Sequence, residues 1–228
     1  MSYVIPPAAQ ASVAVDGTSD RFPVRRIFCV GRNYAEHIRE MGNDERDPPF
    51  YFTKPADAVV ETGTQIPYPV ATTDLHHEVE LVLAIGAGGA NIAPEAALGH
   101  IWGAAVGIDF TRRDLQAQAK AAGRPWDMAK GFDRSAPIGA ILPLEQAGPL
   151  KNGAISMLVN GETRQTGDLS QMIWPVAECV AHLSTLVTLA PGDLIMTGTP
   201  AGVSAVGRGD LLEARIDGLP VLTLQIAA

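Results

Sequence analysis

The residue types best suited to chemistry gather at a few points of this chain. Glu78 and Glu80 lie in His76-His77-Glu78-Val79-Glu80-Leu81-Val82-Leu83, a stretch that passes from polar to continuously apolar. On a strand, the period of two sets both carboxylates on one face, with Val79 and Leu81 opposite. Neighbouring carboxylates repel and an unpaired buried charge is costly, so a bound divalent cation would relieve the site. Oxygen-only ligands suit hard ions such as Mg²⁺, Mn²⁺ or Ca²⁺ better than zinc. The same spacing also suits a solvated polar strand end. Asp109 supplies a third carboxylate, closing the run Trp102-Gly103-Ala104-Ala105-Val106-Gly107-Ile108, which is too apolar for a free charge. Its ordinary alternative is a cap for a helix starting at Arg112.

His37 and Glu40, three apart on a short helix, would be neighbours, so the carboxylate could orient the imidazole and raise its basicity. That makes a general base, or else a chance pair on a surface helix. Lys54 and Lys130 are two of four lysines, each set among Gly, Pro or aromatic residues in Phe52-Thr53-Lys54-Pro55 and Ala129-Lys130-Gly131-Phe132. Either could meet an anionic ligand group, and either could be a surface lysine. Arg113 and Gln116 would share a helix face. Met196-Thr197-Gly198-Thr199-Pro200-Ala201-Gly202 is a Gly/Thr loop able to offer hydroxyls and backbone N–H groups to a carboxylate, or simply a tight turn.

These groups need elements to hold them. Residues 1–22, rich in Pro, Ala and Ser, read as an arm or edge strand. Arg26 to Gly31 is a strand pattern, and Asn33 can cap a helix from Tyr34 to about Met41, stopped by Gly42. Phe50 to Thr53 is a strand pattern. His77 to Ile85 predicts one strand with an open end and a buried end, and Ile101 to Phe110 another. Arg112 to Ala122 reads as a helix ended by Gly123. Asn160-Gly161 between two alternating runs signals a hairpin. Val176 to Val187 has apolar residues at helical spacing, Leu194 to Met196 is a strand, and the tail alternates over Leu211 to Ile216 and Val221 to Ile226. The class is α+β, predominantly β, with residues 1–24 as an N-terminal arm and 25–228 as one domain.

Bulk composition mainly excludes. Seventeen Lys+Arg against 25 Asp+Glu give a net charge of −8, which with no basic run argues against nucleic-acid or membrane-surface partners. Apolar residues at 46% and charged ones at 18% argue against disorder. Cys29 and Cys179 form no disulfide framework, and no signal peptide or membrane-length apolar run is apparent, so a cytoplasmic location is expected. Gly86-Ala87-Gly88-Gly89-Ala90-Asn91 misses the dinucleotide fingerprint at Asn91, the P-loop and nucleophile elbow are absent, and both cysteines sit in apolar runs unsuited to a nucleophile.

In combination and in order, these pieces resemble the fumarylacetoacetate hydrolase family. Val30-Gly31-Arg32-Asn33-Tyr34-Ala35-Glu36-His37, Lys54-Pro55, His77-Glu78-Val79-Glu80-Leu81, Gly107 to Gln116, Lys130-Gly131-Phe132-Asp133 and Thr197-Gly198-Thr199-Pro200 carry the likeness, from about Arg25 to the C-terminus. Phe22-Pro23-Val24-Arg25-Arg26, Asp109 to Gln116 and Gly123-Arg124-Pro125-Trp126 are most similar to the short bacterial fumarylpyruvate hydrolases. The resemblance implies a mixed β-sheet rolled on itself with a few short helices, usually a homodimer. It implies Mg²⁺ or Mn²⁺ on Glu78, Glu80 and Asp109, and water activation by His37 with Glu40. It further implies substrate or enolate contacts by Arg32, Arg113, Gln116, Lys130 and Thr199, with Lys54 as a supporting charge.

The implied reaction is metal-dependent hydrolysis of a carbon–carbon bond in a 2,4-dioxo acid, with fumarylpyruvate giving fumarate and pyruvate as the leading case. Rival readings are another acylpyruvate hydrolase, an oxaloacetate or 2-oxo acid decarboxylase or tautomerase using the same metal–enolate chemistry, and a non-catalytic metal-binding scaffold. The His37/Glu40 pair favours hydrolysis over decarboxylation, and the complete triad argues against the scaffold.

Overall fold

A computed structural model of the chain describes residues 2–34 and 48–228. His37, Glu40 and nearly all of the helix expected from Tyr34 to Met41 lie outside the described residues. Tyr34 itself forms an isolated antiparallel bridge with Met172.

The frame is a mixed sheet that curls into a half-barrel. Its strands run in the order Phe50–Lys54, Arg26–Gly31, Asp193–Met196, Val79–Ile85, Ile101–Ile108, Ala136–Ile138 and Val59–Glu61, with Leu142–Pro143 paired to Ile101–Ile108 outside that path. Asp193–Met196 runs parallel to Arg26–Gly31, and Ala136–Ile138 parallel to Val59–Glu61; the other neighbours are antiparallel. A second sheet orders Glu162–Asp168, Ala154–Val159, Leu211–Ile216, Leu222–Ile226 and Thr64–Ile66.

Alternation along the main strands feeds two cores. Leu81, Leu83 and Ile85 join the larger one, which also holds Ile155, Met157, Leu212 and Leu224 of the second sheet. Val82 and Ala84 join the smaller one, beneath the hairpin Ser12–Ala14/Arg21–Pro23 with its buried Val13 and Phe22. Both faces are covered, which is why Val79–Ile85 is buried throughout and, Glu80 apart, apolar rather than alternating.

The expected helix near Arg112 spans Arg113–Ala121, and Gly123 follows with φ +60. The expected helix near Val176 spans Val176–Leu186 and buries Val176, Cys179, Val180 and Leu183, one face at i, i+3, i+4 and i+7. Asn160 (φ 53) and Gly161 (φ 82) form the hairpin turn between Ala154–Val159 and Glu162–Asp168, a pair of positive φ values that Asn-Gly adopts readily. Among the described residues no helix is long and apolar enough to cross a membrane.

One local expectation fails. The single strand from His77 to Ile85 is two, Leu75–His77 and Val79–Ile85, because the first pairs with Ser204–Val206 and Thr111–Arg112 in a separate small sheet. Glu78 is the hinge between them. The helix that Asn33 is expected to cap lies outside the described residues, but the Asn33 side chain has other partners. Its amide donates to the carbonyls of Trp174 and Thr197 and its oxygen accepts from Trp174 N–H, so it ties together the chain before the Val176 helix and the Gly198 loop.

Candidate active site

Register brings the three carboxylates together. Val79 lies opposite Ile108 and Glu80 opposite Gly107, so the next residue outward on each strand is Glu78 or Asp109. Asp109 N–H donates to the Glu78 carbonyl at 2.8 Å. Gly107, opposite Glu80, lets Val82 pack closely, since a Cβ there would meet Val82 Cγ2 at 2.5 Å. The outcome is a buried cluster in which one carboxylate oxygen from each of Glu78, Glu80 and Asp109 lies within 4.8 Å of the others. Asp109 is therefore no helix cap; the helix after it starts at Arg113 without a side-chain cap.

Three cations face the cluster. Lys130, buried at the end of the short helix Asp127–Lys130, donates to Glu78 Oε2 and Asp109 Oδ2, each at 2.7 Å. Arg113 donates to Glu78 Oε1 at 2.6 Å and to Gln116 Oε1 at 2.5 Å. Lys54 Nζ lies 2.8 Å from Asp109 Oδ1, in ion-pair contact but off the line of a hydrogen bond, and donates instead to the carbonyls of Phe110 and Lys130. Neither Lys54 nor Lys130 is a surface lysine.

The carboxylates differ sharply. Burial pushes Glu78 up, but Lys130 and Arg113 outweigh it and hold the group well below the usual carboxylate range. Burial pushes Glu80 up as well, and the negative charges of Asp109 and Glu78 push it further, so without a cation its carboxyl stays protonated well above the usual range. Burial alone would lower Lys130, yet Asp109 and Glu78 hold it above the ordinary lysine value. Among the described residues the one hydrogen bond to the Glu80 carboxylate comes from Gly198 N–H, at 2.8 Å. Gly198 has φ +97, and a Cβ there would meet Asn33 Cβ at 2.7 Å, so this donor requires glycine. An all-carboxylate set containing one under-bonded, charge-stressed member fits a hard divalent cation.

Above this floor the cleft encloses about 230 Å³, room for a small organic acid. Val30, Phe50, Phe52 and Trp126 give it apolar walls, with the Phe50 and Trp126 rings edge to face at 5.3 Å. Arg32, with φ 62, reaches its lining beside Phe50. Arg113, Gln116, Ala117 and Lys120 line it from one helix.

A buried amide supports the far side. Gln165 Nε2 donates to the Pro200 carbonyl and to Thr199 Oγ1, both at 2.8 Å. A carbonyl can only accept, so this fixes the amide orientation and leaves Oε1 to accept from Val79 N–H and His77 Nδ1. Burial lowers the His77 pKa, and with Nδ1–H donating to Gln165 the ring accepts a hydrogen bond from the Ser204 hydroxyl at Nε2. Thr199, already an acceptor toward Gln165, keeps its own hydroxyl proton for the cleft.

Of the residues singled out from sequence, Glu78, Glu80, Asp109, Arg32, Lys54, Arg113, Gln116, Lys130 and Thr199 meet at or immediately beneath this cleft. His37 and Glu40 lie outside the described residues. Sequence reasoning missed Gln165, Lys120 and the aromatic walls. Cys29 and Cys179 are core thiols, as expected; burial pushes Cys179 up to about 12 and Cys29 well above its ordinary value.

A family model for the fumarylacetoacetate (FAA) hydrolase C-terminal region matches residues 26–227. The chain belongs to the fumarylacetoacetate hydrolase family. Within it, the fumarylpyruvate hydrolase of Pseudomonas aeruginosa, solved in complex with Mn²⁺ and pyruvate, is 52% identical and superposes with a TM-score of 0.96 over 99% of both chains. The fumarylpyruvate hydrolase of a Ralstonia species is 44% identical over 177 residues, 78% of this chain and 92% of its own. The mitochondrial oxaloacetate tautomerase FAHD1 of Arabidopsis thaliana is 43% identical over 194 residues, 85% and 87% of the two chains.

Proposed function

We propose that this member of the family hydrolyses the carbon–carbon bond of an acylpyruvate, with fumarylpyruvate giving fumarate and pyruvate. The observation that carries this reading is the buried triad of Glu78, Glu80 and Asp109 beneath a cleft sized for a small acid. The Pseudomonas relative, holding Mn²⁺ and pyruvate, supports it. Mg²⁺ or Mn²⁺ held by the triad would supply Lewis acidity to the oxygens of a 2-oxo acid.

The chain's own residues divide the remaining tasks. Arg113 and Gln116 set the polar side of the cleft, Thr199 Oγ–H donates to a substrate oxygen, and Arg32 adds positive charge beside Phe50. His37, backed by Glu40, takes a proton from water as its oxygen bonds to the distal carbonyl carbon. The bond from that carbon to the methylene carbon then breaks, leaving its electron pair on the pyruvate fragment as an enolate. Lys130 steadies the developing negative charge through its Nζ–H groups, and the methylene carbon takes up a proton to complete pyruvate.

Incubation of the purified protein with fumarylpyruvate and Mn²⁺ should release pyruvate and fumarate in equal amounts, and exhaustive chelation should abolish the release. Full activity after chelation would sink the metal assignment. His37→Ala should lose hydrolysis while still binding Mn²⁺; unchanged turnover would overturn the base. The likeness to the Arabidopsis oxaloacetate tautomerase favours a second reading, keto–enol interconversion of oxaloacetate at the same site. It wins if oxaloacetate is turned over and neither fumarylpyruvate nor acetylpyruvate releases pyruvate.

A further inference from the structure

We infer that Lys120 forms a subsite for a second carboxylate, so that the cleft selects acylpyruvates whose acyl group ends in an acid. This deepens the hydrolase reading and rests on it.

Arg113, Gln116, Ala117 and Lys120 all line the cleft from the helix Arg113–Ala121, and their spacing of i, i+3, i+4 and i+7 makes one continuous stripe. The stripe starts at the carboxylate floor, where Arg113 is bound to Glu78. At a rise of about 1.5 Å per residue it carries Lys120 about 10 Å further along the axis. The cations at the floor are engaged: Lys130 by Glu78 and Asp109, Arg113 by Glu78, and Lys54 by Asp109 and two carbonyls. Lys120 is exposed, lines the same cleft and makes no ion pair among the described residues.

Phe50, Phe52 and Trp126 lie in the same cleft lining. Flat faces of this kind suit an unsaturated, planar chain and offer nothing to a carboxylate. The cleft thus combines a polar floor, aromatic walls and an ammonium without an ion-pair partner among the described residues. An extended dioxo diacid presents the matching oxo-acid head, flat acyl chain and terminal carboxylate. Acetylpyruvate ends in a methyl group and cannot reach Lys120. Oxaloacetate is too short to engage both ends.

The test measures steady-state hydrolysis of fumarylpyruvate and acetylpyruvate by Mn²⁺-loaded wild type, Lys120→Met and Lys120→Arg. Losing one charge-assisted contact should raise the KM of Lys120→Met for fumarylpyruvate about tenfold with kcat little changed, while acetylpyruvate parameters stay put. Lys120→Arg should restore most of the loss. Equal effects on both substrates, or none on either, overturn the subsite and leave the hydrolase reading standing. Wild type that hydrolyses neither acid removes both. Thermal melting of each variant checks that the fold is intact, and loss of fold in Lys120→Met shifts the comparison to Lys120→Gln with the same expected contrast.

Discussion

Two buried carboxylate sites in this molecule are built in opposite ways. Asp193, fully buried at the start of Asp193–Met196, accepts from Arg25 Nη1, from Arg26 Nε and Nη2, and from Ala190 N–H, so both oxygens are bonded. Its arginines, partly exposed, reach it from solvent at the end of an interior strand of the main sheet. Glu80, also buried, has among the described residues one backbone bond and two like-charged neighbours. Folding alone satisfies the first site completely. The second is stable only with a proton or a cation, and proteins retain such stress where a ligand relieves it.

Substitution at the two sites should therefore separate activity from stability. Glu80→Gln should cut pyruvate release about a thousandfold, since the cation's contribution of several kcal/mol goes with the ligand, while the metal-free protein melts no lower than wild type. A metal-free Glu80→Gln that melts well below wild type would show Glu80 to be as structural as Asp193. Asp193→Asn should do the reverse. Because its partner arginines are partly exposed, the expected cost is about 2 kcal/mol, seen as a drop of roughly 4–8 °C in Tm, with kcat at low temperature unchanged.

Gln165 sharpens the contrast, being a buried polar group whose bonds point toward the cleft. Gln165→Leu should raise KM about tenfold by freeing Thr199, and Thr199→Val should do the same. In the double variant the effects should not multiply, because one acts through the other. Multiplicative effects would mean that Gln165 acts by another route.

The smallest effect concerns pH. The folded, metal-free Glu80 carboxyl sits above its unfolded value. Its contribution is therefore intact below the ordinary glutamate pKa and is lost as pH rises toward the folded value. As pH rises from about 5, the Tm of metal-free wild type should fall relative to that of Glu80→Gln. Saturating Mn²⁺ should erase that slope. A difference independent of pH would contradict the raised pKa.

How far the sequence predicts these features depends on what each one rests on. The strands at Arg26–Gly31 and Ile101–Ile108, the Asn160-Gly161 hairpin and the Val176 helix were legible because each carries its own period or turn residue. Val59–Glu61, Thr64–Ile66, Ala136–Ile138 and Ser204–Val206 were not, since each is three residues long and is defined by distant partners. The triad was legible because carboxylates beside long apolar runs contradict local solvation. The break at Glu78 was hidden, because the residues on both sides are extended and only the change of sheet divides them. Gln165 was hidden for another reason. It lies in Glu162-Thr163-Arg164-Gln165-Thr166-Gly167-Asp168, polar throughout, and nothing local distinguishes the one side chain that turns inward.

The backbone bond from Asp109 N–H to the Glu78 carbonyl joins residues far apart in the chain, and Lys54, Lys130 and Gly198 reach the same point from still other segments. No fragment of the molecule holds more than part of the cation site. Affinity for Mn²⁺ should therefore be all or nothing with the fold, and the melting temperature should climb with the logarithm of free Mn²⁺ once the site begins to fill. A metal titration followed by heat would then report on the cooperativity of the whole half-barrel, read from three carboxylates.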